Sequence, residues 1–178
     1  MLLLIVDFET TGTNPKYDRP LELGAILYSV EDQSSIAQIA TLLPNLSNPV
    51  ESINNIKTSA TQKVSSTYKQ ALKLFSDYVE ISDFLVAHNS DFDSQWLDKY
   101  IIPTMSKPWL CTAKDFKWSK VNYKRVSLKR LAHNYGIVMP QPHRALSDCQ
   151  VIASIFDRIK CLDEVIYEAI SYRNSRSK

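Results

Sequence analysis

The chain has 178 residues, 44% hydrophobic and 22% charged, with a formal net charge of +2. That length fits one domain with one sizeable core, in the composition range of an ordinary soluble globular protein. So small a net charge excludes a molecule that holds nucleic acid by overall basicity; any grip on phosphate must be local.

The start, Leu2 to Val6, is apolar but is broken at Asp7. It is too short for a signal-peptide core and has no basic lead. No stretch approaches the length of a membrane span. Cys111, Cys149 and Cys161 lie far apart with no C-x-x-C pair, the usage expected of free thiols in a reducing compartment. A cytoplasmic protein away from membranes is expected.

Leu2–Phe8 is continuously apolar, which predicts a strand buried on both faces. Residues 10–20 carry Gly12, Asn14, Pro15 and Pro20 and predict a loop. Leu21–Val30 and Ile36–Leu43 predict a hairpin around the polar stretch Glu31–Ser35. Pro44–Thr58 is expected to be irregular. From about Ser65, the positions Ala71, Leu72, Phe75 and Val79 mark a helix face. Phe84–Ala87 predicts a short strand. Asp91–Tyr100 predicts a helix with Phe92, Trp96 and Tyr100 on one face and Asn89 or Ser90 as cap. Pro103 and Pro108 bracket a connection to a last strand at Trp109–Thr112. Ser127–Tyr135 predicts a helix with Ser127 as N-cap and Gly136 just past its end. Pro140 and Pro142 stop the chain again. Ala145–Ile159 is a strong helix pattern. Asp163–Tyr172 predicts a further helix, followed by a polar tail over Arg173–Lys178. The order predicts a mixed α/β sheet flanked by helices.

Three patches carry the chemistry. In D-F-E-T-T-G, Asp7 and Glu9 stand two apart at a strand end. Both carboxylates therefore point to one face and can share a cation. The carboxyl edge of such a sheet is where ligands bind. H-N-S-D-F-D offers Asp91 or Asp93, which diverge by about 200° on a helix, so only one can face the same site. Spacing alone does not choose between them. H-R-A-L-S-D places His143 in the lead-in to a helix and Asp148 in its first turns. This pairs an imidazole able to transfer a proton with a fixed carboxylate. Each patch alone also reads as ordinary solvated acids and a surface histidine. Together they describe a site for hard divalent cations at a scissile phosphate. Converging carboxylates without a cation would repel one another.

The three patches resemble the motifs of the DEDDh 3′–5′ exonucleases, a group that includes the proofreading epsilon subunit of bacterial DNA polymerase III and ribonuclease T. The likeness runs from about Leu2 to Ile159, with L-E-L-G-A at Leu21–Ala25, C-T at Cys111–Thr112 and S-L-K-R-L-A at Ser127–Ala132 as further features. It implies a ribonuclease H-like fold, a five-stranded mixed sheet with helices on both sides. It also implies a single exonuclease domain over residues 1–178, with a catalytic core of about 2–160 and a C-terminal helix and tail over 161–178. The H-N-x-x-F-D pattern selects Asp93. By the same likeness Asp7, Glu9 and Asp148 hold one Mg²⁺, Asp7 and Asp93 hold a second, and Mn²⁺ can substitute. His143 is implied as the general base. Phe8, Thr10, Thr11, His88, Asn89 and Phe92 are implied to contact the terminal nucleotide. One departure stands out: relatives carry a His-Gly-Ile-type segment where this chain reads I-N-N-I-K-T-S-A, a region that borders the substrate groove.

The implied activity is removal of nucleoside 5′-monophosphates from the 3′ end of single-stranded nucleic acid, with DNA set ahead of RNA trimming. The competing readings are a non-catalytic nucleic-acid-binding module and a ribonuclease H-like endonuclease. The chain ends soon after the last motif, which points to a free-standing enzyme rather than a subunit with a polymerase-binding extension; a homodimer of the ribonuclease T kind is compatible with it. The stretch Lys114–Arg130 interleaves Lys114, Lys117, Lys120, Lys124, Arg125, Lys129 and Arg130 with Phe116, Trp118 and Tyr123. It reads either as a strand-binding surface, with Trp118 as its first stacking residue, or as a solvated loop whose aromatics pack on the domain.

Overall fold

The first strand, β1 (Leu2–Thr10), lies at the centre of the sheet because its apolar run can be buried on both faces. The structure is a computed structural model that describes residues 1–64, 66–101, 107–120, 126–139 and 143–176. Ser65, Pro103, Tyr123, Lys124, Arg125, Pro140, Pro142 and Lys178, used in the sequence reading, lie outside the described residues. The remaining strands are β2 (Pro20–Ser29), β3 (Ser34–Leu42), β4 (Phe84–Ala87) and β5 (Trp109–Cys111). The sheet order is β3-β2-β1-β4-β5. β1, β2 and β3 are antiparallel neighbours, whereas β4 and β5 run parallel to β1. This is the mixed five-stranded sheet expected from the chain order.

The described helices are α1 (Glu51–Asn54), α2 (Thr58–Gln62), α3 (Tyr68–Ile81), α4 (Ser90–Trp96), α5 (Leu128–Asn134), α6 (Ala145–Phe156) and α7 (Leu162–Arg176). α4 continues into a π-helical turn over Leu97–Ile101. The period of two in β1 splits the core. Leu4, Val6 and Phe8 pack with Phe75 and Val79 of α3 and Trp96 of α4. Leu3 and Ile5 face Cys149, Ile152 and Phe156 of α6, with Leu131 of α5 and Ile166 of α7 in the same cluster. Each such buried side chain contributes roughly 1.5–3 kcal/mol, enough to hold the carboxyl end of β1 rigidly between the two helical layers.

Several expectations need correction. Pro44–Thr58 is not wholly irregular: it holds α1 and the start of α2. Between them Asn55 adopts φ 56°, the left-handed region that Asn tolerates better than most side chains. Asn48 Nδ2 donates to Asn54 Oδ1 (2.9 Å) and to the Ile56 carbonyl (2.7 Å), so a polar network builds this segment. Neither Asn89 nor Ser90 caps α4 through its side chain; Asn89 is left-handed at φ 82° and its carbonyl accepts from the Phe92 amide. Ser127 does cap α5, accepting from the Arg130 amide at 3.3 Å. The expected tail is helical through Arg176, whose Nη1 lies 3.1 Å from Asp115 Oδ1.

Candidate active site

Asp7 and Glu9 continue the face of β1 that carries Leu3 and Ile5, so both carboxylates point toward α6. Asp93 arrives from the other helical layer. The pairing of β1 with β4 runs from Leu3 to Ile5, which leaves the Phe8 amide beyond the paired stretch. Asp93 Oδ1 accepts from that amide at 3.2 Å. The structure thus separates the two acids of α4. Asp93 is 1% exposed and docked on β1, whereas Asp91 is exposed and paired with Lys114 on the opposite side.

α6 brings the third patch. His143 is exposed and left-handed at φ 61°, two residues before the helix begins. The Asp148 amide donates to the Arg144 carbonyl at 3.0 Å, which ties the first turn of α6 to the residue that follows His143. Ligand atoms of Glu9, His143 and Asp148 all lie within 4.8 Å of one another. The helix approaches this closely because β2 carries Gly24. A Cβ there would stand 2.4 Å from the Ala145 carbonyl carbon and 2.3 Å from the Leu146 nitrogen. Glu22, also on β2 and 3% exposed, accepts from the Ala145 amide (3.0 Å) and from Arg144 Nε and Nη2 (3.0 and 2.7 Å). L-E-L-G-A had no assigned role in the sequence reading. A Glu and a Gly on alternate inward positions of an otherwise apolar strand are its only sequence signal.

The electrostatics follow from crowding carboxylates away from water. Burial raises Asp7 well above the usual carboxylate range, and the charges of Asp93, Glu9, Asp148 and Glu22 push it further. Burial, then Asp148 and Glu22, lift Glu9 to about 8, with Arg144 opposing. Burial lifts Asp148 to about 6 against the pull of His143. Asp93 is raised chiefly by burial, offset by hydrogen bonds from the amides of Phe8 and its own residue. Asp93 Oδ2 and Asp148 Oδ1 are buried with no hydrogen-bond partner. Buried oxygens without donors are costly. Hard divalent cations take oxygen ligands of this kind, so the donor set fits Mg²⁺ or Mn²⁺.

Residues 4–156 match the exonuclease family model, RNase T. The chain belongs to this exonuclease family. Similar proteins include a PolC-type DNA polymerase III from Thermotoga petrophila, 29% identical over 87% of this chain and 12% of that protein. The epsilon subunit of DNA polymerase III from Aquifex aeolicus is 24% identical over 93% of this chain and 82% of its own. The chain therefore spans about an eighth of the PolC-type relative. Among solved structures, the nuclease domain of 3′hExo, a DEDDh family member bound to rAMP, has a TM-score of 0.70 at 20% identity, covering 88% of this chain and 90% of that one. E. coli Exonuclease I in complex with a dT13 oligonucleotide has a TM-score of 0.71 at 14% identity, over 94% and 42%. These likenesses show the fold, a ribonuclease H-like sheet.

Within this exonuclease domain the expected substrate-side residues divide. Phe8 is a correction: its ring is 3% exposed in the core with Trp96 and Phe75, and only its amide reaches the carboxylate cluster. Thr10 and Thr11 are buried, and their hydroxyls serve the adjoining loop. Thr10 Oγ1 donates to the Gly12 carbonyl, and Thr11 Oγ1 accepts from the Arg19 amide. His88 is half-buried, with Nδ1 2.9 Å from Thr112 Oγ1. Burial lowers it to about 4, so it is a neutral brace between β4 and the chain after β5. Asn89 is exposed and Phe92 half-buried, its ring edge-on to Trp96 at 5.7 Å.

Of the two readings of the basic and aromatic stretch, the described residues fit the one in which the aromatics pack on the domain. Trp118 and Phe116 are 6% and 7% exposed and stack on each other at 4.9 Å within the α6 core. Trp118 Nε1 donates to the Thr112 carbonyl at 2.7 Å. Neither ring is presented to an unpaired base. Lys117, Lys120 and Lys129 are exposed, and Lys120 sits over the Tyr135 ring. Among the described residues no helix is long and apolar enough to cross a membrane.

Proposed function

We propose that this domain hydrolyses the terminal phosphodiester at the 3′ end of single-stranded DNA and releases nucleoside 5′-monophosphates. The observation that carries the proposal is the convergence of Asp7, Glu9, Asp93 and Asp148, with two buried carboxylate oxygens lacking any partner, beside an exposed His143. Asp7, Glu9 and Asp148 would hold one divalent ion, and Asp7 and Asp93 a second. When bound, such ions activate the attacking water and stabilise the leaving oxygen. His143 takes the proton of the attacking water on its ring as the general base. Asp148, whose carboxylate oxygen lies within 4.8 Å of a His143 ring nitrogen, puts a negative charge beside that imidazole. Asn89 and Phe92, which keep exposed surface beside Asp93, line the terminal nucleotide. The PolC-type and epsilon relatives support DNA over RNA as substrate.

The test uses a 5′-labelled single-stranded oligonucleotide with Mg²⁺ and a circular single strand of the same sequence. A ladder shortening from the 3′ end, with mononucleotide product and an intact circle, is expected. Cleavage of the circle would identify an endonuclease instead. Binding without any product would leave only a nucleic-acid-binding module.

A further inference from the structure

Glu22 stands directly across from Glu9 in the β1–β2 ladder, and Gly24 stands across from Asp7. Two glutamates facing each other on neighbouring strands repel, and Glu22 is among the charges that raise Asp7, Glu9 and Asp148. A fifth acid so close to the cluster could have been another cation ligand. Its oxygens are instead already committed. Oε1 accepts from Arg144 Nη2 at 2.7 Å, and Oε2 accepts from Arg144 Nε and from the Ala145 amide, both at 3.0 Å.

The place of those bonds matters. Arg144 is the N-cap position of α6 and makes no side-chain cap of its own. The first amide of the helix is therefore capped from another element, by a carboxylate on β2. Glu22 grips residues 144 and 145, His143 immediately precedes them, and the Arg144 carbonyl accepts from the Asp148 amide at 3.0 Å. Gly24 removes the side chain that would hold α6 away. His143 and Asp148 are thus placed against Glu9 by a clamp on the opposite strand, and not by their own helix alone.

We infer that Glu22 is a positioning residue: paired with Arg144 and the α6 N-terminus, it sets the distance of His143 and Asp148 from Glu9 and takes no cation itself. Arg144 decides which of two cross-strand glutamates is left open. Its charge neutralises Glu22, while Glu9 stays free on the side of the cluster. The inference rests on the proposed exonuclease site, but its test does not depend on that reading alone.

Four full-length variants are compared with wild type: Glu22→Gln, Glu22→Asp, Arg144→Met and the double Glu22→Gln/Arg144→Met. Each is measured for thermal unfolding, for Mn²⁺ affinity by electron paramagnetic resonance, and for kcat and KM on a 5′-labelled oligonucleotide. Partners one shell out from a metal ligand are typically worth about 10–100-fold in activity or metal affinity. Glu22→Gln and Glu22→Asp are expected to lower kcat and Mn²⁺ affinity in that range, with KM within about twofold of wild type. Glu22→Asp keeps the charge pair and shortens its reach, so it reports on position even where the neutral variant folds poorly. Arg144→Met leaves a buried carboxylate without its counter-charge, held by the Ala145 amide alone of its present donors, and should melt lowest; the double variant should regain melting temperature while kcat stays at the Glu22→Gln level. Wild-type kcat and Mn²⁺ affinity in both Glu22 variants would overturn the inference, as would a double variant whose kcat recovers together with its stability. If wild type shortens no oligonucleotide, the proposed function fails, and the Mn²⁺ comparison alone still decides the role of Glu22.

Discussion

Two regions of this molecule carry residue types that suggest nucleic-acid chemistry, and they end in opposite conditions. At the carboxyl end of β1, acids from β1, α4 and α6 converge, their charges oppose one another, and two buried oxygens lack partners. Along residues 114–120, the aromatics are satisfied: Phe116 and Trp118 stack in the core, and the indole N–H has its acceptor. The difference teaches that residue type is a poor guide by itself. Uncompensated charge joined to unmet hydrogen-bonding capacity marks a place built for something outside the chain; an unmet neutral donor alone, such as the Trp96 indole N–H in the apolar core, does not.

The largest effect expected from that contrast is on catalysis. Asp93→Asn should abolish measurable cleavage while leaving the metal-free fold intact, since it removes one of several repelling charges. His143→Ala should cost about 10²–10⁴-fold in kcat, the usual worth of a positioned general base; a full rate would remove His143 from the mechanism. Trp118→Ala tests the other region. It should destabilise by about 3–5 kcal/mol, as truncation of a buried aromatic does, with kcat and KM per folded molecule unchanged. A loss of oligonucleotide affinity at unchanged stability would break the comparison.

A smaller effect concerns pH. Glu9 is raised to about 8 and Asp148 to about 6, so the folded chain retains protons that the unfolded chain releases above the ordinary carboxylate range. Where the folded state binds more protons, stability falls as pH rises. The melting temperature of the metal-free protein should therefore decline from about pH 5 to pH 8. Mg²⁺ should raise it more at pH 8 than at pH 5, because only deprotonated carboxylates bind the ion. A melting temperature independent of pH and Mg²⁺ would contradict the repulsion. The smallest effect belongs to Lys117→Ala and Lys120→Ala, exposed substitutions expected within about 0.5 kcal/mol in stability. If either lysine touches phosphate, the salt dependence of binding should lose roughly one unit of slope per contact.

Much of this was legible in the chain. A period of two in D-F-E was enough to put Asp7 and Glu9 on one face, and the continuous apolar run before them was enough to bury β1. The choice between Asp91 and Asp93 was not legible from spacing, because it depends on where β4 stops pairing and leaves the Phe8 amide open. Trp118 could not be assigned from its neighbours, since its packing partners Tyr135, just past α5, and Phe156 of α6 lie later in the chain. The hydroxyls of Thr10 and Thr11 looked available until the fold of residues 12–19 used them. Glu22 looked like one more strand residue, and its meaning comes from a helix that starts 123 residues later.

The most direct test of the central claim is single-turnover cleavage of a 5′-labelled single strand by wild type and Asp93→Asn across a Mg²⁺ titration. Wild type should release 5′-mononucleotides from the 3′ end only when Mg²⁺ is present, and Asp93→Asn should release none at any concentration. Cleavage that persists in EDTA, or at the wild-type rate in Asp93→Asn, would contradict a site built on these carboxylates.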